Sequence, residues 1–458
     1  MTPIIKTEMS TVLRFTIALL TGLTALAQEA NPLLTKAEAY QIMLENNFGI
    51  QIANNLVDIA ENNKSVLNAD FLPSISGVAG ATYDNNSSVT DFNGATDSEG
   101  NPRPNFEINN AETQRYNAGI NLDYTLFDGL GRLYNYKQLK ETYNLSQLEA
   151  RETIELTTIQ LFTVYYEVAR VTENVQVLEE ALDISRNREQ RASYEFEYGQ
   201  SNKLNVLNAQ VDVTTDSINL ITARQNLENV KRDLNVVLNR DLETQFNVET
   251  EVGFIDVLFL AGLEEDTSIN NVNLLQAEKD ITISDYAIKG ARSLLLPSIG
   301  LTGSYGWNQS NNPASAFFPG TTNTSNNFNI GASLRWNIFD GGRSVTAVKN
   351  ARIFYDNQQL IKEQIKQEIN RDIANAKGNY FNALEVYKLQ EQNVVTAKDN
   401  FDRSAEQLKI GQITNVEFRQ AQVNLLTAQT TKNAAMFAAK VAELNYLQLV
   451  GQLLNIDF

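Results

Sequence analysis

Tyr124-Thr125-Leu126-Phe127-Asp128-Gly129 returns as Trp336-Asn337-Ile338-Phe339-Asp340-Gly341, displaced by 212 positions. Asn208-Ala209-Gln210 returns at the same displacement as Gln420-Ala421-Gln422, so one register holds across both landmarks. Upstream, Leu72-Pro73-Ser74-Ile75 returns as Leu296-Pro297-Ser298-Ile299 at a displacement of 224, the difference falling in unequal loops. Three ordered matches make the chain a tandem duplication, and such a repeat governs every later reading of the fold. The expected division is a first repeat over 28–240, a connector over 241–267 and a second repeat over 268–458.

Within each repeat the apolar period switches from helical to two and back. Residues 36–70 and 268–294 read as helices that stop before Pro73 and Pro297. Beyond each proline the spacing becomes two. Ile299, Leu301, Gly303, Tyr305 and Trp307 alternate with Ser298, Gly300, Thr302, Ser304 and Gly306. Four strands are expected, near 72–83, 116–127, 297–308 and 328–339, with loops at 84–114 and 309–327 rich in Asn, Ser, Thr and Gly. Strands of about ten residues with one apolar face are long enough to cross a bilayer when tilted. Four strands cannot close a barrel, and an open edge in lipid leaves backbone groups unpaired, so a membrane role requires several chains.

After the strands, residues 132–198 contain neither Pro nor Gly, and residues 343–410 contain only Gly378. At 1.5 Å per residue each predicts a helix of about 100 Å. Ile361, Ile365, Ile369, Ile373, Ala376, Tyr380, Leu384 and Tyr387 recur at threes and fours, as do Ile159, Phe162, Tyr166 and Ala169, which is the spacing of a coiled-coil seam. The matched turns Tyr198-Gly199-Gln200-Ser201-Asn202 and Ile410-Gly411-Gln412-Ile413-Thr414 send a second helix back. Two helical hairpins are therefore expected, over 132–240 and 343–450.

Composition narrows the function. The 458 residues include no His and no Cys, which excludes Ser-His or Cys-His nucleophilic catalysis, disulfides and nitrogen or sulfur sites for zinc or copper. No Walker P-loop, GxGxxG turn or GxSxG elbow occurs either, so no enzyme activity and no cofactor are expected. A net charge of -18 argues against nucleic acid as a partner. Lys6 and Arg14 precede the apolar run Phe15 to Ala27, which ends in Ala25-Leu26-Ala27. Residues 1–27 thus read as a secretory signal peptide, and with no Cys behind it no lipid anchor is expected. No run of about 18 apolar residues predicts a transmembrane helix.

With these features in order, the chain resembles the TolC family of outer-membrane efflux and secretion channels. The similarity lies in Glu38-Ala39 through Leu44-Glu45-Asn46-Asn47 to Leu72-Pro73-Ser74, in Phe339-Asp340-Gly341-Gly342-Arg343 and its counterpart Phe127-Asp128-Gly129-Leu130-Gly131-Arg132, and in Gly199 with Asn205-Val206-Leu207-Asn208-Ala209 beside Gly411 with Glu417-Phe418-Arg419-Gln420-Ala421. The resemblance implies a mainly α protein with a membrane β-barrel. Its β2 plus long α-hairpin units would trimerise into a twelve-stranded barrel and a twelve-helix periplasmic α-barrel, a size that leaves a passage where eight strands would not. It implies a homotrimer in outer-membrane lipid with a large periplasmic extension. That homotrimer would be a passive exit duct for a tripartite efflux or type I secretion system, met by a periplasmic adaptor (membrane fusion protein) and an inner-membrane RND or ABC-type pump. By the same resemblance Gly199, Gln200, Leu204, Val206, Leu207, Ala209, Gly411, Gln412, Phe418 and Ala421 form the adaptor-docking tips. Glu417 and Gln420, with Asn205 and Asn208 in the first copy, stand at the periplasmic constriction, where Glu417 alone carries charge. An exported periplasmic coiled-coil adaptor or scaffold, and more distantly an acidic exported hydrolase, are the other readings of the same repeats. The cargo is not written in the sequence.

Overall fold

The computed structural model describes residues 31–256, 262–314 and 319–456. The expected signal peptide lies outside the described residues. In chain order the elements are β1 (Leu33–Leu34), α1 (Lys36–Asn46), α2 (Phe48–Asn63), β2 (Ser74–Thr90), β3 (Phe106–Phe127), α3 (Gly131–Glu197), α4 (Lys203–Val237), β4 (Asn247–Val248), a 3-10 turn (Leu263–Asp266), α5 (Thr267–Asn270), α6 (Val272–Ser293), β5 (Ser298–Asn312), β6 (Thr321–Arg335), α7 (Arg343–Lys409) and α8 (Asn415–Leu449). The chain is mainly helical with one four-stranded sheet. α3 and α7 are each 67 residues, and α4 and α8 are each 35.

The chain divides into two compact units. Among the described residues, one consists of 31–55, 149–256, 262–275 and 365–456. Its core is built from the long helices. Phe162, Tyr165 and Tyr166 on α3 meet Phe437 on α8, in a cluster with Leu34, Phe246, Tyr380 and Leu444. Tyr165 is fully buried and its hydroxyl donates to the Leu34 carbonyl at 2.7 Å while accepting from the Glu249 amide at 3.0 Å. These two hydrogen bonds pin the short parallel β1–β4 pair onto α3, and burial pushes the phenol up to about 12. The connector is fastened likewise: buried Glu443 on α8 accepts from the Ile255 amide at 3.0 Å and the Tyr380 hydroxyl at 3.1 Å. Glu264 accepts from Tyr446 at 2.8 Å and pairs with Lys377 at 2.7 Å.

The helices expected over 36–70 and 268–294 are both interrupted. At Asn47 the backbone leaves the helical region (φ -63°, ψ 127°). The Asn47 Oδ1 then accepts from the Gly49 and Ile50 amides at 2.8 and 3.3 Å, capping α2. Its Nδ2 donates to the Val237 carbonyl at 2.8 Å, at the end of α4. Asn271 repeats the device. Its Oδ1 accepts from the Asn273 and Leu274 amides at 3.1 and 3.2 Å, and its Nδ2 donates to the Leu449 carbonyl at 2.7 Å, at the end of α8. One side chain thus starts one helix and satisfies an orphan carbonyl of another. α2 also ends at Asn63, earlier than the expected 70.

The other unit comprises Leu56–Leu148 and Gln276–Gln364 and holds the sheet, antiparallel throughout in the order β2-β3-β5-β6. Its register brings the alternation of all four strands into phase. Phe328, Tyr305, Ile120 and Gly77 lie directly opposite one another, as do Ile330, Gly303, Leu122 and Ile75. The neighbouring rows, Asn329, Ser304, Asn121 and Ser76, then Gly331, Thr302, Asp123 and Ser74, point to the other face. The pairing extends beyond the expected strands. β2 and β3 continue through Asn85, Asn86 and Ser88 to Thr90 paired with Phe106, and β5 and β6 reach Asn312 paired with Thr321. Asn- and Ser-rich segments read as loops still form ladders because a neighbour supplies the backbone bonds. At the other end β6 stops at Arg335, short of the expected 339, so Trp336 to Phe339 were expected in the strand but lie outside it; the Trp336 Nε1 donates to the Leu295 carbonyl at 3.2 Å.

The loop joining β2 to β3 carries its own scaffold. The Asp97 carboxylate accepts from the amides of Glu99 and Asn101, both at 2.9 Å, and holds its proton more weakly than usual because of them. Asp97 and Asn101 also bond through their backbones, beside a bridge between Thr96 and Pro102.

Candidate functional site: the helical tips

Each long helix ends in the same way. Gly199 (φ +72°) and Gly411 (φ +74°) adopt the left-handed conformation that L side chains resist. The Gln200 amide donates back to the Glu195 carbonyl at 2.7 Å and the Gln412 amide to Gln407 at 2.9 Å, the six-to-one bond of a Schellman cap. The return helices then start on side-chain caps. Asn202 Oδ1 accepts from the Asn205 amide at 3.0 Å, so Asn205 is the third residue of α4; its own Nδ2 donates to Ser201 Oγ at 2.9 Å. At the second tip Thr414 Oγ1 accepts from the Glu417 amide at 3.2 Å while the Glu417 carboxylate accepts from the Thr414 amide at 2.7 Å, a complete capping box. The Thr414 amide, and after it the Thr414 hydroxyl donating at 2.8 Å, hold the Glu417 carboxyl below its ordinary value.

The residues expected at the tips separate into two layers. Gly199, Gln200, Leu204, Leu207, Gly411 and Gln412 are exposed. Val206, Ala209, Phe418 and Ala421 are buried inside the hairpins, Val206 and Ala209 against Ala192 and Phe418 against Phe401 with ring centroids 5.3 Å apart. Of the four residues expected at the constriction, Glu417, Gln420 and Asn208 are exposed and Asn205 is half-buried. Gln420 Nε2 donates to Asn424 Oδ1 at 2.8 Å.

Beneath this surface lies a charged cluster that sequence reasoning missed. Arg419 on α8 reaches across to α4 and donates from both terminal nitrogens to the two oxygens of Asp216, each at 2.7 Å. Asp216 is 1% exposed and also accepts from Ser185 Oγ on α3 at 2.5 Å. Gln422 Nε2 donates to the Ala181 carbonyl at 2.9 Å and to Ser185 at 3.1 Å. Asp212, one turn before Asp216, pairs with Arg188 on α3 and lies 3.5 Å from Arg419 Nε. The bidentate bond to Asp216 raises the Arg419 guanidinium further above its ordinary range. Burial first, and then the charge of Arg419, lower that of Arg188. This cluster fastens the first hairpin to the return helix of the second. Its trace in the sequence is a broken match. At the displacement of 212, Arg419 stands where the first copy has Leu207, and Ala428 stands where it has Asp216.

The geometry defines a class: a duplicated helical-hairpin protein whose sheet has one apolar face and two unpaired edges. The profile of the outer membrane efflux proteins matches residues 39–240 and 264–452, and the chain belongs to that family. The outer membrane protein TolC of Vibrio cholerae is 25% identical over 301 residues, 64% of this chain and 67% of that protein. The cation efflux system protein CusC of Escherichia coli is 21% identical over 353 residues, 76% of this chain and 75% of that protein. Among solved structures, the CmeC outer membrane channel of Campylobacter jejuni superposes with a TM-score of 0.70 at 17% identity, over 91% of this chain and 85% of that one. The open-state MtrE outer membrane channel of Neisseria gonorrhoeae gives 0.66 at 17% identity, over 91% and 89%. The resemblance drawn from the motifs therefore holds at the level of family and fold.

Proposed function

We propose that the protein is the passive exit duct of an efflux or type I secretion system, a homotrimer whose twelve strands close a barrel in the outer membrane. The observation that carries this reading is the sheet. Its apolar face presents Phe328 at 72% exposure, Ile330 at 70% and Ile75 at 69%, in register across four strands. Both edge strands, β2 and β6, are exposed along their whole lengths. A contiguous apolar face of that kind fits lipid, and unpaired edges in lipid require closure by further copies. Because the order β2-β3-β5-β6 alternates in direction, β6 of one copy meets β2 of the next antiparallel. Three copies leave a lumen that two would fill with side chains.

The helices support the same assembly. The exposed surface of the tips would receive a periplasmic adaptor, with Leu204 and Leu207 as apolar contacts and the buried Val206, Ala209, Phe418 and Ala421 holding the hairpins that present them. An inner-membrane RND or ABC-type pump would supply energy and select cargo. Glu417 would contribute one carboxylate per chain to the periplasmic entrance, with Gln420, Asn205 and Asn208 beside it, and Glu417→Gln should reduce cation preference in reversal-potential measurements. Electron microscopy of the full chain extracted from outer-membrane fractions tests the assembly. Threefold tubes are expected; soluble monomers would overturn the duct in favour of a periplasmic scaffold.

A further inference from the structure

Two cavities lie between the hairpin tips, and one residue belongs to both. The larger, about 590 Å³, is bounded by the end of α3, the two turns and the end of α7; the smaller, about 280 Å³, is bounded by the starts of α4 and α8. Arg188 lines each of them. It is 6% exposed, and only its Nη2 is engaged, by Asp212. Among the described residues neither its Nε nor its Nη1 meets an acceptor. A buried guanidinium with idle donors is costly unless something completes it.

The surroundings specify what would do so. In a chain of net charge -18 the larger cavity is lined by three cations, Arg188, Arg191 and Lys409, against one carboxylate, Glu195. Arg191 is paired with Glu195 at 3.0 Å and Lys409 with Glu406 at 2.7 Å, both on the half-open surface where such pairs are weak and readily exchanged. Asp216 is taken up by Arg419 and Ser185 and makes no hydrogen bond to Arg188.

We propose that the cavity between the tips is a receptor for a carboxylate side chain carried by the protein that docks there, with Arg188 as the group that binds it. The proposal rests on the duct reading and names the chemistry of its partner: an acidic residue projecting from the partner's docking segment into the inter-tip cavity. Arg188 turns its head group from behind the cavity wall and donates from Nε or Nη1, while Arg191 and Lys409 add positive potential at the rim. Asp212 competes for the same guanidinium and sets how readily it is released.

Hydrogen exchange of the full chain in detergent tests this, with N-acetylglutamate as the probe and sodium sulfate as the comparison anion. N-acetylglutamate is expected to slow exchange saturably in 195–205 and 408–415. Arg188→Met should abolish that response, and Arg188→Lys should retain part of it, which separates loss of the donor from loss of the fold. Asp212→Asn should lower the half-saturating concentration by about threefold or more, because it removes the competing charge. A purely structural Arg188–Asp212 pair predicts the reverse, with both substitutions loosening the tips and neither changing the response to the probe. An unchanged response in Arg188→Met would overturn the proposal, and equal protection by sulfate would reassign the cavity to free anions. Absence of trimers in the same sample would count against the duct and leave the exchange result standing.

Discussion

The two return helices α4 and α8 have the same length, begin after the same turn and carry the same Ala-Gln at the same place, yet their flanks are treated differently. On α8, Arg419, Gln422 and Asn433 face the first hairpin and bond to Asp216, Ala181, Ser185 and Asn174. On α4, beyond the tip residues Leu204 and Leu207, the stripe Val211, Ile218 and Ile221 stays 59–67% exposed. Leu207, Ile218 and Ile221 occupy the positions equivalent to Arg419, Thr430 and Asn433. The junction inside one chain is therefore polar and directional, whereas the surface left over is apolar and at heptad-like spacing, the composition of a surface meant for a permanent partner. A second copy of the chain is the partner the proposed trimer supplies.

The sharpest way to break this contrast is at Asp216. Asp216→Ala leaves Arg419 without its bidentate acceptor and is expected to destabilise the junction by about 3 kcal/mol, read as faster hydrogen exchange in 181–188 and 415–422. Ala428 at the equivalent place in α8 has no such duty, and Ala428→Ser should leave those segments nearly unchanged. Ile218→Glu attacks the other surface. It should leave the fold of one chain intact and shift the assembly from trimers toward monomers in native mass spectrometry; intact trimers would exclude that stripe from the subunit contact.

A matched pair of substitutions compares the helix joints. Asn47→Ala and Asn271→Ala each remove a cap and an inter-helix bond, and each should lower stability by about 1–2 kcal/mol in denaturant titration. Asn271 is buried and Asn47 only half-buried, so the second copy should suffer more. The residue that follows α8 at the same joint is constrained further. Gly451 has φ +75°, and a Cβ there would lie 2.4 Å from the Asn270 carbonyl carbon, whereas Asn239 holds the equivalent place with φ +50°. Gly451→Asn should fail where the first copy accepts Asn.

The smallest effect is electrostatic. The Glu417 carboxyl is depressed below 4.5 in the folded tip, so its contribution to the cap is complete above that value and declines as pH falls through the lower folded value. Protection at 415–418, corrected for the intrinsic pH dependence of amide exchange, should therefore decline below pH 4.5. Asn205, its first-copy counterpart, does not ionise, and exchange at 203–206 should show no matching step.

Much of this architecture is legible because it obeys simple periods. Proline- and glycine-free stretches became α3 and α7, and Leu72-Pro73-Ser74 and Leu296-Pro297-Ser298 mark where β2 and β5 begin. What escaped has definite causes. The breaks at Asn47 and Asn271 hide because apolar residues continue at helical spacing on both sides; the visible sign was an Asn-Asn pair repeated at the same displacement as the proline motif. The outer halves of β2 and β3 hide because ladder bonds need no alternation once a neighbour is in place. The tip glycines and caps were readable as local chemistry. The Arg419–Asp216 bond was not, since it joins residues 203 positions apart and nothing local on α8 names its acceptor.

The loop between β2 and β3 has a use in protein engineering. A foreign peptide inserted at residues 98–100 would give up the Asp97 bonds to Glu99 and Asn101, but the ladder that closes with Thr90 opposite Phe106 lies outside the insertion and should keep the strand register. In the proposed barrel, an epitope or affinity tag grafted there would report, in intact cells, on which side of the membrane this loop emerges.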